Sequence, residues 1–513
     1  MTKQFSNYSD LLTFTRASKG HALRPVSYGD ELVDNGDFAT DSDWTGVNST
    51  LTVVDGQLNV TDAGGYASAR QAITTKIGSV YKIEIEIING ANINLDVYNG
   101  EDFTATPPDI IIASGLGVNS YVYSFVAEAT TSTISLRGNS GNGTVYKFDN
   151  VSVKEVTFDE SDGTLTLFEH PENVPRVEYD ADGNRLGLLV EEARTNFLTY
   201  SEDFSNAGWI KLPSDALSSE TVTGPFEGTS AYRFTSVDHN HYLEDRNVTV
   251  VAGTTYTFSF WGKDAGGAGT PKYRIRDISN GANIARADWP DPSSTEFKRQ
   301  AITFTAPSGC TNVTISIAYY SGVQVDFYVF GAQLEAGSFP TSYMKNEGDA
   351  DGKDRSADVA SIPVADFGYN QSAGTFFIDI TDVISNNNKD YFSVSSSGSF
   401  NPESFGLYGT PDTGSTLGYR RRNSAYDPAI TSTADIQSTG SKVALSHDAS
   451  SLVISVDGVA TETSSSNSVD TITEIAFGGS GHGVTGDVHS KHIKSIKYYP
   501  RRLTNAQLVE LTS

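Results

Sequence analysis

The sequence predicts an all-β, multidomain protein made of β-sandwiches, two of them copies of one type, with a short C-terminal helix or turn. Three observations predict the strands. Alternation of period two recurs: YKIEIEI at residues 81–87, TYTFSF at 255–260, VQVDFYVF at 323–330 and LVISV at 452–456 each turn every second side chain to one face. Turn signals separate such runs, at Asp55-Gly56, Asn99-Gly100, Asp182-Gly183 and Asp457-Gly458. Composition agrees, with 47 Gly, 25 Tyr and 26 Phe against 2 Met.

The elements fall into an order. Residues 1–29 read as an N-terminal extension. An echo then marks two domains: ELVDNGDFATDSDW at 31–44 and NFLTYSEDFSNAGW at 196–209 both run from a short apolar strand through an acidic loop and a Phe to a Trp. Each copy ends on an acidic-aromatic strand, YKFDNVSV at 146–153 and VDFYVFGAQL at 325–334. Repeats of that length are domains rather than solenoid units, so the first sandwich is set at 30–156 and the second at 196–345, joined by a connecting β segment at 157–195. The polar run KNEGDADGKDR at 345–355 leads into a third β-rich region, 346–513. Helical signal is confined to the end, where Thr504 can cap a turn, Gln507 follows three residues later, and Leu508 and Leu511 supply an apolar side.

Charge and length bound the function. The 513 residues carry 63 acids against 36 Lys and Arg, a net charge of -27 that repels nucleic acid and anionic membrane unless a local patch overrides it. No basic patch is visible in the sequence, although Arg420 to Arg422, Arg501 and Arg502 form small basic spots for an acidic polysaccharide, a neighbouring subunit or simply water. The single cysteine excludes an intramolecular disulfide and a Cys-rich metal site, and Cys310 reads as a buried apolar residue. Residues 1–20 lack an apolar core, and nothing approaches 18 consecutive apolar residues, so the expectation is a soluble chain with neither secretory signal nor membrane span.

The residues also carry a family likeness. Glu31 to Trp44 together with Phe148 to Val153 resembles a carbohydrate-binding module of the jelly-roll type. PRVEYDADGNRLGLLVEEARTNFLTYSEDFSNAGW at 175–209 and FGAQLEAGSFPTSY at 330–343 resemble a signature of bacteriophage tail and tail-fibre-like proteins. Residues 358–380 with IKSIKYYPRRLTNAQL at 493–508 resemble a laminin-G or concanavalin A-like sandwich. In such proteins the phrase LTFTRAS, here at 12–18, runs soon into PRVEYD. Here the first module intervenes. Either it is inserted, with the N-terminal strand packing beside 157–195 or against the C-terminal sandwich, or the domains are serial and the N-terminus frays.

The resemblance implies a virion component at the tail or fibre, assembled in the host bacterial cytoplasm, that attaches to a bacterial surface polysaccharide through lectin-like domains. It also implies contacts with other tail proteins and a homotrimer, with multivalent display multiplying weak contacts. The alternatives are a structural adaptor or decoration protein without sugar binding, and a polysaccharide depolymerase.

Candidate site residues follow from the chemistry. A jelly-roll module of this kind implies a structural calcium ion, for which Glu31, Asp37 and Asp149 are the candidate ligands if the first and last strands pair. Solvated carboxylates are the alternative. In the second copy Glu202, Asp203 and Asp326 correspond, but Asn196 replaces the opening acid. Sugar binding needs exposed aromatics with amides and carboxylates beside them; Tyr66, Tyr98 and Tyr123 are the candidates in the first module and Tyr242, Tyr273 and Trp289 in the second, core packing being the competing use. Trp44 and Trp209 hold equivalent places in the echo, which points to packing. No HExxH, phosphate loop or GxSxG elbow is present, and the groups His239 with His241 and His482 with His489 and His492 lack a convincing ligand set. The expectation is a binding protein without catalytic residues.

Overall fold

The computed structural model describes residues 3–4, 13–100, 108–139, 141, 143–159, 162–226, 229–236, 241–267, 269–319, 324–383, 389–395, 404–410, 415–422, 425–432, 436, 440–464, 472–477 and 491–513. Among the described residues the elements are antiparallel strands, a 3-10 turn at Val364–Asp366 and one α-helix, Asn505–Thr512, so the all-β expectation holds. The chain divides into two compact units, one of Met1–Leu23 and Glu172–Ser513, the other of Arg24–Pro171.

The Arg24–Pro171 unit is a sandwich. One sheet has the strand order Ile110–Leu116, Ile93–Asn99, Thr131–Gly138, Ser68–Thr74 and Thr45–Val47. The other runs Asn119–Val126, Val80–Asn89, Val145–Phe158, Gly20–Glu31 and Thr164–His170, with the hairpin of Ser49–Val54 and Gln57–Asp62 also joined to Val145–Phe158. The period-two pattern decides which side chains meet: Ile83, Ile85 and Ile87 from one sheet and Leu95, Val97, Ile134 and Leu136 from the other are buried together. Their alternating partners Glu84, Glu86, Asp96 and Ser135 face away from that core.

In the larger unit, residues 197–344 repeat this plan. Trp209–Leu212, Tyr242–Thr249, Asn312–Tyr319, Lys272–Asp277 and Ala282–Asp288 form one sheet, and Leu217–Thr223, Ser230–Thr235, Asp326–Ala336, Thr255–Asp264 and Lys298–Thr305 form its partner. In chain order the first of these sheets matches the five-stranded sheet of the other unit strand for strand.

The rest of the larger unit encloses a second core between an eight-stranded and a seven-stranded sheet. Both N-terminal strands join these sheets: Thr13–Thr15 pairs with Val359–Pro363, and Lys3–Gln4 pairs with Lys491–Tyr499. A buried ion network fastens the strands together. Arg176 donates to Asp358 at 2.5 Å and pairs with Glu191 at 3.0 Å, while Arg16 reaches Asp358 at 3.4 Å and Arg355 reaches Glu191 at 3.5 Å. Burial first, and then Arg176, lowers Arg16 to about 10. At the C-terminus Thr504 accepts from the Gln507 amide while the Gln507 side chain accepts from the Thr504 amide, the capping box that the sequence predicts. Leu508 seats the helix on Ala444 and Val453.

Candidate functional site

The strand-for-strand match puts two polar rows in equivalent places. In the Arg24–Pro171 unit the register sets Thr45 opposite Arg70, Arg70 opposite Ser135, Ser135 opposite Asp96 and Asp96 opposite Ile111. In the other sandwich it sets Ile210, Glu244, Ser316, Arg274 and Arg286 in one row. Each row has a central serine between an acid and an arginine. The order of the charges is reversed.

In the second row Glu244 is satisfied by its neighbours, while Arg274 Nε is buried with no hydrogen-bond partner among the described residues. Glu244 accepts from Arg274 Nη2 at 2.6 Å, from Ser316 Oγ at 2.9 Å and from Arg246 Nε at 2.6 Å. The first row also leaves buried atoms unpaired. Arg137 Nε donates to Asp96 Oδ2 at 2.6 Å, but Asp96 Oδ1 and Ser135 Oγ are buried with no hydrogen-bond partner among the described residues. Burial raises the Asp96 carboxyl from its ordinary range, against the opposing pull of Arg137 and Arg70. Buried polar atoms without partners are uncommon because each forfeits its hydration.

Tyr66 lies beside Arg137, the arginine that bonds Asp96 of that row. It is 65% exposed and sits at φ 57°, a left-handed conformation that a bulky residue seldom adopts. The Arg137 guanidinium lies 5.5 Å from its ring centroid. Arg137 Nη1 donates to Asn139 Oδ1 at 2.7 Å, and Asn139 Nδ2 donates to Asn94 Oδ1 at 2.9 Å. An exposed ring, a fixed guanidinium and two side-chain amides thus occupy one neighbourhood. That set can stack on an apolar sugar face and bond its hydroxyls.

The other candidate aromatics are placed differently. Tyr98 is buried, and its hydroxyl accepts from Arg70 Nη2 at 3.0 Å. Tyr123 stacks with Tyr121 against the core, and Tyr273 packs against the core of its own sandwich. Trp289 is buried and donates from Nε1 to the Ile317 carbonyl at 2.8 Å. Tyr242 is half-buried with the Arg246 guanidinium 5.3 Å from its ring. Trp44 and Trp209 anchor their loops: their indoles donate to the carbonyls of Asn35 and Tyr200, and their rings meet Phe38 and Phe204.

The acidic candidates are engaged in local bonding. Glu31 Oε1 accepts from the amides of Leu32, Val33 and Val153, and its Oε2 accepts from Ser152 Oγ. Asp37 accepts from the Ala39 amide and Asp149 from the Asn150 amide. A cation at these three residues requires Glu31 to release several of its donors. Among the described residues no three His, Cys, Asp or Glu side chains form a metal-holding group. In the second copy Glu202 accepts from Tyr343, Asp203 from the Ser205 amide, and Asp326 from Arg233.

Of the histidine groups, His239, His482 and His489 lie outside the described residues, His241 is buried near Phe234, and His492 pairs with Glu178 at 2.6 Å. Cys310 is buried, and burial, followed by Asp277, pushes its thiol up to about 11. The side chains of Arg420 to Arg422 lie outside the described residues, while Arg502 pairs with Glu462 at 2.7 Å. Among the described residues no helix is long and apolar enough to cross a membrane.

No family model matches the chain, and no curated protein matches it. Among solved structures it is similar to the CBM40 of a Ruminococcus gnavus IT-sialidase bound to α2,3-sialyllactose, at 17% identity over 28% of this chain and 84% of that one, with a TM-score of 0.25. It is also similar to the tandem CBM22 domain of Paenibacillus barcinonensis Xyn10C, at 12% identity over 61% and 98% of the two chains and a TM-score of 0.21. Trypanosoma rangeli sialidase matches at 12% identity over 94% and 97%, with a TM-score of 0.23. Scores this low carry no functional argument, so the site is read from its own geometry.

Proposed function

We propose that the chain is a non-catalytic glycan-binding protein whose first sandwich presents Tyr66 as the stacking platform. The observation that carries this reading is the exposed Tyr66 ring in a left-handed conformation beside Arg137, which Asp96 and Asn139 hold in place. Such a surface binds one or two sugar units weakly and gains strength from repeated display. The tail or tail-fibre setting, the bacterial surface polysaccharide as partner, the homotrimer and a fastening calcium ion at Glu31, Asp37 and Asp149 belong to the same proposal and rest on the sequence resemblance.

The test is a screen of the intact chain against immobilised bacterial surface glycans, repeated with Tyr66→Ala. Retention of a glycan that weakens about tenfold or more in the variant supports the reading. Retention indifferent to Tyr66 refutes it. Release of oligosaccharides during the screen identifies a depolymerase instead. A melting temperature of the intact chain that chelator lowers and added calcium restores supports the calcium ion, and one indifferent to chelator refutes it.

A second reading, a structural adaptor, is favoured by one observation. Tyr98 and Trp289 are internal, and Glu244 is fully engaged by its neighbours, so these groups serve packing rather than a ligand. Failure to retain any glycan, with a stable assembly partner recovered in its place, supports that reading.

A further inference from the structure

We propose that the outward face of the sheet containing Tyr242–Thr249, Lys272–Asp277, Ala282–Asp288 and Asn312–Tyr319 binds an acidic polysaccharide whose sugars carry carboxylates. The sequence shows no basic patch, yet the fold assembles one. Arg274 and Arg286 stand opposite each other, Arg276 stands opposite Thr314, and Lys272 stands opposite Asp288, so alternation puts all of them on the face that carries Ser316 and Glu244. Arg246 joins them through its bond to Glu244. The face therefore holds Arg246, Lys272, Arg274, Arg276 and Arg286 against the carboxylates of Glu244 and Asp288, in a chain whose net charge is -27. Asp245 does not cancel this charge, because it pairs across the sheet with Trp209 and Ile315 and so faces the core.

The internal partners are unevenly shared. Arg274 and Arg246 are committed to Glu244, and Lys272 pairs with Asp288. Arg276 and Arg286 are exposed, and among the described residues Arg276 has no carboxylate partner. The Tyr319 ring supports the arginines from below, with the Arg274 guanidinium 3.5 Å and the Arg286 guanidinium 5.1 Å from its centroid. Guanidinium forks match carboxylates in a planar, two-bond geometry, and hydroxyl-bearing Thr314 lies in the register opposite Arg276. The strongly acidic remainder of the molecule disfavours a polymer as densely charged as nucleic acid, which carries a charge for about every 1.7 Å of duplex. A polyuronate, with its charges spread over sugar rings, is the better match.

This site uses residues other than those of the Tyr66 platform, so the two proposals fail separately. The intact chain is titrated with polygalacturonate, neutral dextran and single-stranded DNA at low and at physiological ionic strength, using wild type, Arg276→Glu with Arg286→Glu, and Tyr66→Ala. Binding of polygalacturonate in preference to dextran and DNA, weakened by salt and reduced about tenfold or more in the double arginine variant but by less in Tyr66→Ala, is expected. Polygalacturonate binding no tighter than dextran binding, or unaffected by the arginine changes, overturns the proposal, and DNA binding of equal strength overturns the choice of a glycan. Both substituted arginines are exposed, and a thermal melt matching wild type confirms that the variant is folded.

Discussion

Glu31 and Asn196 do the same work at the same place in two sandwiches. Glu31 accepts from the Val33 amide two residues on and from Val153 on the closing strand at 2.7 Å; Asn196 accepts from the Leu198 amide two residues on and from Leu334 on its own closing strand at 3.0 Å. An acid in one copy and an amide in the other both supply a carbonyl-type oxygen, which is all that the geometry asks. The entering strand is thereby tied to the last one.

Removing that oxygen should destabilise each sandwich. Glu31→Ala takes the acceptor from the Val33 and Val153 amides, while the Leu32 amide keeps the Val153 carbonyl, for an expected loss of about 1–3 kcal/mol. Asn196 is fully buried, so Asn196→Ala should cost at least as much. Denaturant titration of the intact chain checks both. Equal stability of Glu31→Ala and wild type contradicts the assignment.

The Asp358 carboxylate accepts from Arg176 and the Glu191 amide and meets Arg16, all of them buried. Asp358→Ala leaves guanidinium charge buried without compensation and is expected to cost about 3–5 kcal/mol. The same network gives an acid dependence. Burial alone would push the Glu191 carboxyl up, but Arg355 and Arg176 overcome it and hold it at about 2. A group lowered in the folded state stabilises fully above its ordinary value of 4.5 and loses that contribution as pH falls toward 2. Melting temperature should therefore drop across that window in wild type and drop less in Glu191→Gln.

Asp245 has the opposite sign. Burial against the core side raises its carboxyl from 3.8 to about 7. A carboxyl raised in the folded state is best tolerated below 3.8, and stability is lost as pH climbs toward 7. Asp245→Asn should therefore raise the melting temperature above neutral pH and have little effect in acid. A variant less stable than wild type in mild alkali would contradict this sign.

Tyr66 poses stability against function. Its left-handed backbone costs a non-glycine residue about 1–2 kcal/mol, part of which Tyr66→Gly recovers before the added freedom of the unfolded chain is counted. The glycine variant should melt no lower than wild type while losing glycan retention. A clear fall in melting temperature would mean that the ring is a packing element.

The strands were legible because alternation reports one-sided burial directly, as in YKIEIEI, whose isoleucines are the buried set. The helix cap was legible because Thr504 and Gln507 are local in sequence. The position of Glu31 in the echo was also visible, but an acid at a strand end reads equally as a cation ligand or a hydrogen-bond acceptor, and only the register of the closing strand shows the bonds it makes. Tyr66 and Tyr98 look alike in sequence; what separates them is that Arg70 caps one hydroxyl and the other ring remains exposed. The basic face is not legible in the sequence because Arg246, Lys272, Arg274, Arg276 and Arg286 come from three strands interleaved with acids, and become neighbours only through pairing.

The most direct test of glycan binding is hydrogen–deuterium exchange on the intact chain, with and without the glycan that the screen retains most strongly. Slowed exchange confined to residues around Tyr66 and to the neighbouring Ile93–Asn99 and Thr131–Gly138 strands is the expected result. Unchanged exchange in those segments, with protection appearing elsewhere in the chain, would show that Tyr66 is not the platform.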